Sequence, residues 1–231
     1  MEKILISISN CINASTNFKR KAGNMHKSFH KIVCFLLVMV SFISTAQAND
    51  VDKKNPYKMI QEVAEITFKR FADEHDAIRK NPNLLKNIVS EELMPYINYK
   101  YAAGKVLGTQ FKKTTKAERA EFVPVFRDYL VTSYAQVFTL YNKQKVTYEK
   151  EKNLKDKKIV KVRTQVLELG RDPINIAFNV RKNRKTNEWK AFDMIAEGIS
   201  LLDSKKAELG GLIRQKGLGH VTKLLKEKSS R

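Results

Sequence analysis

Hydrophobic positions in this chain change period twice, and the changes divide it into a helical part, a sheet part and a second helical part. From Asn55-Pro56, an N-cap residue followed by an N1 proline, Ile60, Val63, Ala64, Phe68 and Phe71 recur at helical spacing and predict a helix over about 56–80. Asn81-Pro82 repeats the start signal, and Leu84, Leu85, Ile88, Val89 and Leu93 predict a second helix that Pro95 ends. A short helix follows between Tyr96 and Gly108. Thr115-x-x-Glu118 has the form of a capping box, and beyond it Phe122, Phe126, Leu130, Tyr134 and Phe138 recur every four residues. The helix expected there, over about 116–141, carries a wide aromatic face and an interior proline, Pro124, expected to kink it.

Past residue 145 the period drops to two. Val146 and Tyr148 open a short strand; Val160, Val162, Thr164 and Val166 form one face of a second; Ile174, Ile176, Phe178 and Val180 form one face of a third. Turns at Gly170-Arg171-Asp172-Pro173 and at 183–187 lead to a fourth strand, Glu188 to Ile195. Short connections make this an antiparallel meander. After Gly198 the helical period returns through Leu201, Leu202, Leu209, Leu212 and Ile213 to a stop at Lys216-Gly217, then a short amphipathic piece and a solvated tail from Lys226 to Arg231. Helices, then an antiparallel sheet, then helices is an α+β order, in which a curved four-stranded sheet can close around the long helix as a cone with a deep apolar pocket.

The first 48 residues read as a leader. Met25 to Lys31 is a basic n-region, Ile32 to Ile43 an apolar run, and Ala46-Gln47-Ala48 a cleavage site. The run is shorter than the roughly 20 residues a spanning helix needs. The signal proper is therefore 25–48, with Met25 a candidate start, and 49–231 is a single domain expected in the periplasm of a Gram-negative cell. Both cysteines, Cys11 and Cys34, precede the cleavage site, so the mature domain is held by a core and not by disulfides. Of 44 Lys/Arg and 24 Asp/Glu, six and one fall in the leader, leaving an excess of 15 bases. For an exported protein that excess points to anionic headgroups or acidic protein surfaces, not to nucleic acid.

Site chemistry is sparse. Two histidines, His75 and His220, remain in the mature chain, far apart in sequence, and no metal, hydrolase or nucleotide motif occurs. No enzyme and no cofactor are expected. The best catalytic arrangement would set Asp193 beside Tyr129 or Tyr134 in an apolar cavity; the alternative makes Asp193 a hydrogen-bonded strand-end residue and the tyrosines ordinary core.

The segment Trp189-Lys190-Ala191-Phe192-Asp193-Met194-Ile195-Ala196-Glu197-Gly198-Ile199-Ser200-Leu201 resembles the strand-to-helix segment of the MlaC, or toluene-tolerance, family of periplasmic phospholipid-binding proteins. Asn55-Pro56-Tyr57, Leu93-Met94-Pro95-Tyr96, Lys100-Tyr101-Ala102, Val106-Leu107-Gly108, Arg181-Lys182-Asn183 and Arg214-Gln215-Lys216-Gly217 look like further landmarks in the family's order, so the resemblance covers about 55–228. It implies a nuclear-transport-factor-2-like cone with extra helices. It also implies a carrier of diacyl phospholipid, held as cargo, that maintains outer-membrane lipid asymmetry without stable membrane insertion. The implied partners are an outer-membrane lipoprotein complexed with a porin and an inner-membrane ABC transporter with a periplasmic substrate-binding ring.

The alternation and the helical stripe nominate Tyr101, Val106, Leu107, Phe126, Leu130, Tyr134, Phe138, Val162, Val166, Ile176, Phe178 and Met194 to line a lipid pocket. Each could equally be plain core. A different reading of the same chain is a periplasmic adaptor or chaperone with a filled core and a basic protein-binding face.

Overall fold

The computed structural model describes residues 51–139 and 144–230, all within one compact unit, Asp50–Arg231. The leader expected over 1–48 lies outside the described residues. Six helices and a five-stranded sheet alternate in the order α1 (Pro56–Asp73), α2 (His75–Lys80), α3 (Leu84–Ile88), α4 (Tyr99–Leu107), α5 (Lys116–Phe138), β1 (Lys145–Tyr148), β2 (Ile159–Leu167), β3 (Ile174–Lys182), β4 (Trp189–Ala196), β5 (Ile199–Ser200), α6 (Leu201–Ser229). The α+β order is the expected one.

Local signals set most boundaries. Asn55 Oδ1 accepts from the amides of Tyr57 (2.9 Å) and Lys58 (3.3 Å), with Pro56 in the first turn of α1. The helix expected to reach residue 80 breaks at Glu74 (φ −97°, ψ 11°). The residues beyond it, α2, bury no side chain fully, and the half-buried Ile78 packs against the cluster of α1, α3 and α5. Asn81 does not cap α3. Its side chain accepts from Asn83 N (3.2 Å) in a local turn, and the helix starts at Leu84 before widening into a π turn over Val89–Leu93. Arg70 of α1 reaches that turn, donating to Glu91 (2.6 Å) and Glu92 (2.7 Å) as well as to Glu74 (2.7 Å).

Asn98 caps α4 through Tyr101 N (3.2 Å) while its own amide donates to Ala191 O of β4 (2.6 Å). Gly108, at φ +50°, ends the helix. Both halves of the Thr115/Glu118 capping box form, at 3.1 and 2.7 Å, and α5 then runs through Pro124 as one helix to Phe138.

The strands pair in sequence order, each antiparallel to the next. The expected four-stranded meander gains a fifth strand because Gly198, in a tight turn, returns Ile199-Ser200 to pair with Ala196 and Ile195. A bulge between β3 and β4 pairs Asn179 with Asp193 but Val180 with Ala191, leaving Phe192 as the extra residue.

Three apolar clusters hold the unit together. Ala102, Ala103, Phe122, Phe126, Leu209 and Val221 join α4, α5 and α6. Met59, Val63, Val162, Val180 and Trp189 join α1 to the inner sheet face. Phe71, Ile88, Val131 and Ala135 join α1, α3 and α5. The tail expected to be solvated from Lys226 stays helical to Ser229, because Leu225 is fully buried and Thr132 Oγ1 donates to Ser229 O (3.2 Å).

Gly217 is where sequence and structure both place a stop, yet α6 resumes immediately beyond it. Its φ of +80° with ψ of 165° belongs to a region open essentially to glycine alone. Gly217→Ala should therefore destabilise the fold by about 1–3 kcal/mol, a fall of several degrees in Tm, read by circular dichroism.

Candidate functional site

A cavity of about 160 Å³ lies between α1, the C-terminal half of α5 and the inner face of the sheet. Its walls follow from the two periods. From α1 come Ile60, Val63, Ala64 and Phe68, one helical stripe, with Met59 beside it; from β2, β3 and β4 come Thr164 and Val166, Ile176 and Phe178, and Met194, which the register sets side by side. From α5 come Tyr134, Val137 and Phe138. Phe138 also leans on Phe71 (4.9 Å between centroids) and on Phe68 (6.3 Å, near perpendicular), so this wall is aromatic and layered.

A second cavity, about 270 Å³, lies on the other side of Tyr134, between α5, β4 and the start of α6. Phe126, Leu130, Phe192 and Leu202 line it, with Lys205 among its polar residues. Ile97, Tyr134, Val137 and Asp193 border both spaces.

The polar groups here are few and engaged. Asp193, 9 % exposed, accepts from Asn179 Nδ2 (3.1 Å), Ser200 Oγ (2.9 Å) and the amide of Leu202 (3.0 Å). The last is an N-terminal amide of α6, where a negative charge is favoured. Lys205 donates to Glu208 (2.8 Å) and sits 5.3 Å from the Tyr129 ring centroid. Burial, with a smaller contribution from the Asp193 charge, pushes the Tyr134 phenol up to about 12. It is therefore a neutral hydroxyl at physiological pH. Among the described residues no group of His, Cys, Asp and Glu is placed to hold a metal ion, and no helix is long and apolar enough to cross a membrane.

Of the nominated lining residues, Tyr134, Phe138, Val166, Ile176, Phe178 and Met194 border the first cavity, while Phe126, Leu130 and again Tyr134 border the second. Four lie elsewhere. Val106 and Leu107 are sealed in the α4–α5–α6 cluster and Val162 in the α1–sheet cluster, at 1–3 % exposure. Tyr101 packs edge-on to Phe192 (5.0 Å) beneath the Arg181 guanidinium (4.5 Å); the bulge in β4 supplies that ring. The whole contribution of α1 went unnominated, although its stripe was visible: nothing in a helical stripe says whether it meets side chains or space.

A model described as "MlaC protein" matches residues 61–227. The chain belongs to the MlaC family. A Haemophilus influenzae relative named "Intermembrane phospholipid transport system binding protein MlaC" is 31% identical over 205 residues, which span 88% of this chain and 94% of the relative. Among solved structures, a phospholipid-binding protein from Ralstonia solanacearum, in complex with a phospholipid, shares the fold with a TM-score of 0.67 at 20% identity, over 76% of this chain and 97% of that one. The MlaC fold is thus the architecture in which these two cavities sit.

The Tyr134 phenol gives a pH signature. Its proton is bound more tightly in the folded than in the unfolded chain, so the contribution is constant below the ordinary value near 10 and is lost as pH rises toward 12. Urea unfolding across pH 9–12 should show wild type losing more stability over that range than Tyr134→Phe; parallel curves would place the hydroxyl in water.

Proposed function

We propose that this protein is a periplasmic phospholipid carrier that ferries single diacyl lipids between the outer membrane and an inner-membrane ABC transporter, preserving lipid asymmetry. The observation that carries this reading is an apolar cavity walled by α1, α5 and the sheet, whose one carboxylate, Asp193, already accepts three hydrogen bonds from the protein. An apolar lining holds water poorly, so leaving a cavity of this kind empty carries a cost. An apolar ligand offsets that cost. A filled-core adaptor has no use for such a void.

The cargo's energetics set the same demand. A lipid with about 30 chain carbons loses on the order of 20 kcal/mol on leaving a bilayer unprotected, at ~0.8 kcal/mol per CH₂. The carrier must supply that environment in protein. A void of this size takes little more than a benzene-sized group, since an engineered cavity of ~150 Å³ holds benzene. The described conformation is therefore a closed one, and loading parts α1 and α5 from the sheet. The names of the Haemophilus and Ralstonia proteins support phospholipid as the cargo.

No step needs a proton to move or a cofactor to act. Transfer is binding, opening and release, and the excess of positive charge beyond residue 48 speeds docking onto an acidic lipoprotein–porin complex and an acidic transporter ring, an effect that salt screens.

Expressed with its own leader and purified from a bacterial periplasm, the protein should carry one diacyl phospholipid per chain by native mass spectrometry and organic extraction. Phe178→Trp, which fills the first cavity from β3, should lower that occupancy while the fold's thermal transition persists. An empty wild type that also takes no lipid from vesicles would sink the carrier reading and favour the adaptor.

A further inference from the structure

The side of the sheet turned away from the first cavity is basic. The register that sends Val166, Ile176, Phe178 and Met194 inward sends the residues between them outward. Lys145 of β1, Lys161 and Arg163 of β2, Arg181 of β3 and Lys190 of β4 stand on that outer face, with Arg181 and Lys190 directly opposite each other. Lys145, Lys161 and Arg163 are exposed, and so are Gln165 and Asn175, which face each other across β2 and β3.

Little negative charge answers these five cations. Asp193 is the one acid in the five strands, and its carboxylate is engaged by Asn179, Ser200 and the amide of Leu202. Glu149, just past β1, lies 3.6 Å from Arg163 but is also bound by Lys152 at 2.5 Å, so that trio keeps a net positive charge. Among the described residues Lys145, Lys161, Arg181 and Lys190 have no carboxylate partner. A hollow of about 480 Å³ lies on the same face, with Thr147, Lys161, Arg163, Gln165, Asn175 and the already paired Glu149 in its lining. Two cations and several neutral donors are there within reach of one phosphate.

These features suit a surface of headgroup phosphates better than a protein. Protein partners are held by aromatic anchors in a desolvated centre, and the outward positions of β1, β2 and β3 hold no aromatic residue. An anionic bilayer needs no anchor. It attracts cations spread over a face, through charge that salt screens.

We propose that the outer face of the sheet docks this protein on an anionic bilayer surface, with headgroup phosphates drawn to Lys145, Lys161, Arg163, Arg181 and Lys190. The first cavity lies on the opposite side of the sheet, so a docked molecule keeps that side free. The inference does not depend on what the cavity holds.

Two triple variants of equal charge separate this face from the overall basic excess. Lys145→Gln/Lys161→Gln/Lys190→Gln removes three cations from the face; Lys58→Gln/Lys80→Gln/Lys223→Gln removes three exposed lysines from α1, α2 and α6. Each protein, expressed with its leader and purified from a bacterial periplasm, is sedimented with vesicles of dioleoyl phosphatidylcholine, alone or mixed with dioleoyl phosphatidylglycerol. Wild type should pellet with the phosphatidylglycerol vesicles, stay in solution with the neutral ones, and bind less as salt rises to about 0.15 M. The face triple should weaken that binding at least about tenfold and the control triple less than about threefold. Should the face triple fail to match the wild-type circular dichroism melt, Lys161→Glu, at an exposed position of β2, takes its place. Phe178→Trp, which fills the first cavity, should sediment as wild type does, which keeps the result separate from the carrier reading. Equal loss in both triples, or loss in neither, overturns the assignment of this face. A wild type that ignores phosphatidylglycerol vesicles at low salt overturns bilayer docking, whatever the cavity binds.

Discussion

One carboxylate organises the joint on which the second half of the fold turns. Asp193 accepts from β3 through Asn179, from β5 through Ser200 and from the first turn of α6 through Leu202 N. It thereby fixes the angle at which α6 leaves the sheet. Ser200, held by Asp193, in turn caps α6 through Asp203 N (3.0 Å). With that angle set, Leu209, Ile213 and Val221 meet α4 and α5 in one cluster. The first turns of α6 also reach α5, since Leu202 packs against that cluster and Lys205 lies 5.3 Å from the Tyr129 ring centroid. Buried polar groups of this kind are costly unless every acceptor site is used, and here three donors converge on two oxygens.

The sheet supplies the complementary constraint. Its inner face is wider than one helix can cover, and the described conformation covers it with α1 on one side and α5 on the other. Where the two part, Val166, Ile176, Phe178 and Met194 face space instead of side chains. Binding capacity in this architecture is therefore a packing deficit that the rest of the core supports: Trp189, Met59 and Val180 are sealed beside the cavity, so the deficit is confined.

What was legible in the sequence divides along the range of the interactions. Asn55-Pro56, Thr115/Glu118, Gly108 and Gly217 act within a turn of chain, and each marks a boundary where expected. The strand alternation gave the inward faces of β2 and β3 correctly because register follows from short connections. Asn81 misled: its side chain accepts from Asn83 N as a cap would, but the chain beyond it first closes through i+3 backbone bonds, Leu84 N to Asn81 O and Leu85 N to Pro82 O, and the α-helix begins only at Leu84. The bulge at Phe192 and the two-residue β5 left no periodic trace. Pocket and core were inseparable at that level: Val162 and Val166 share one face of one strand, yet Val162 is sealed under α1 while Val166 borders the void. What distinguishes them is the gap between helices, a property of tertiary packing that no residue type announces.

The order of strands carries one more consequence. β1 is a terminal strand of the sheet and only four residues long, Lys145 to Tyr148, whereas β2 and β3 are nine-residue strands inside the same sheet. An open sheet edge is a template for another chain. Along β1 a second copy could add its backbone over four strand residues, one of them a lysine. Pairing at that edge is thus held shorter than the ladder that joins β2 to β3.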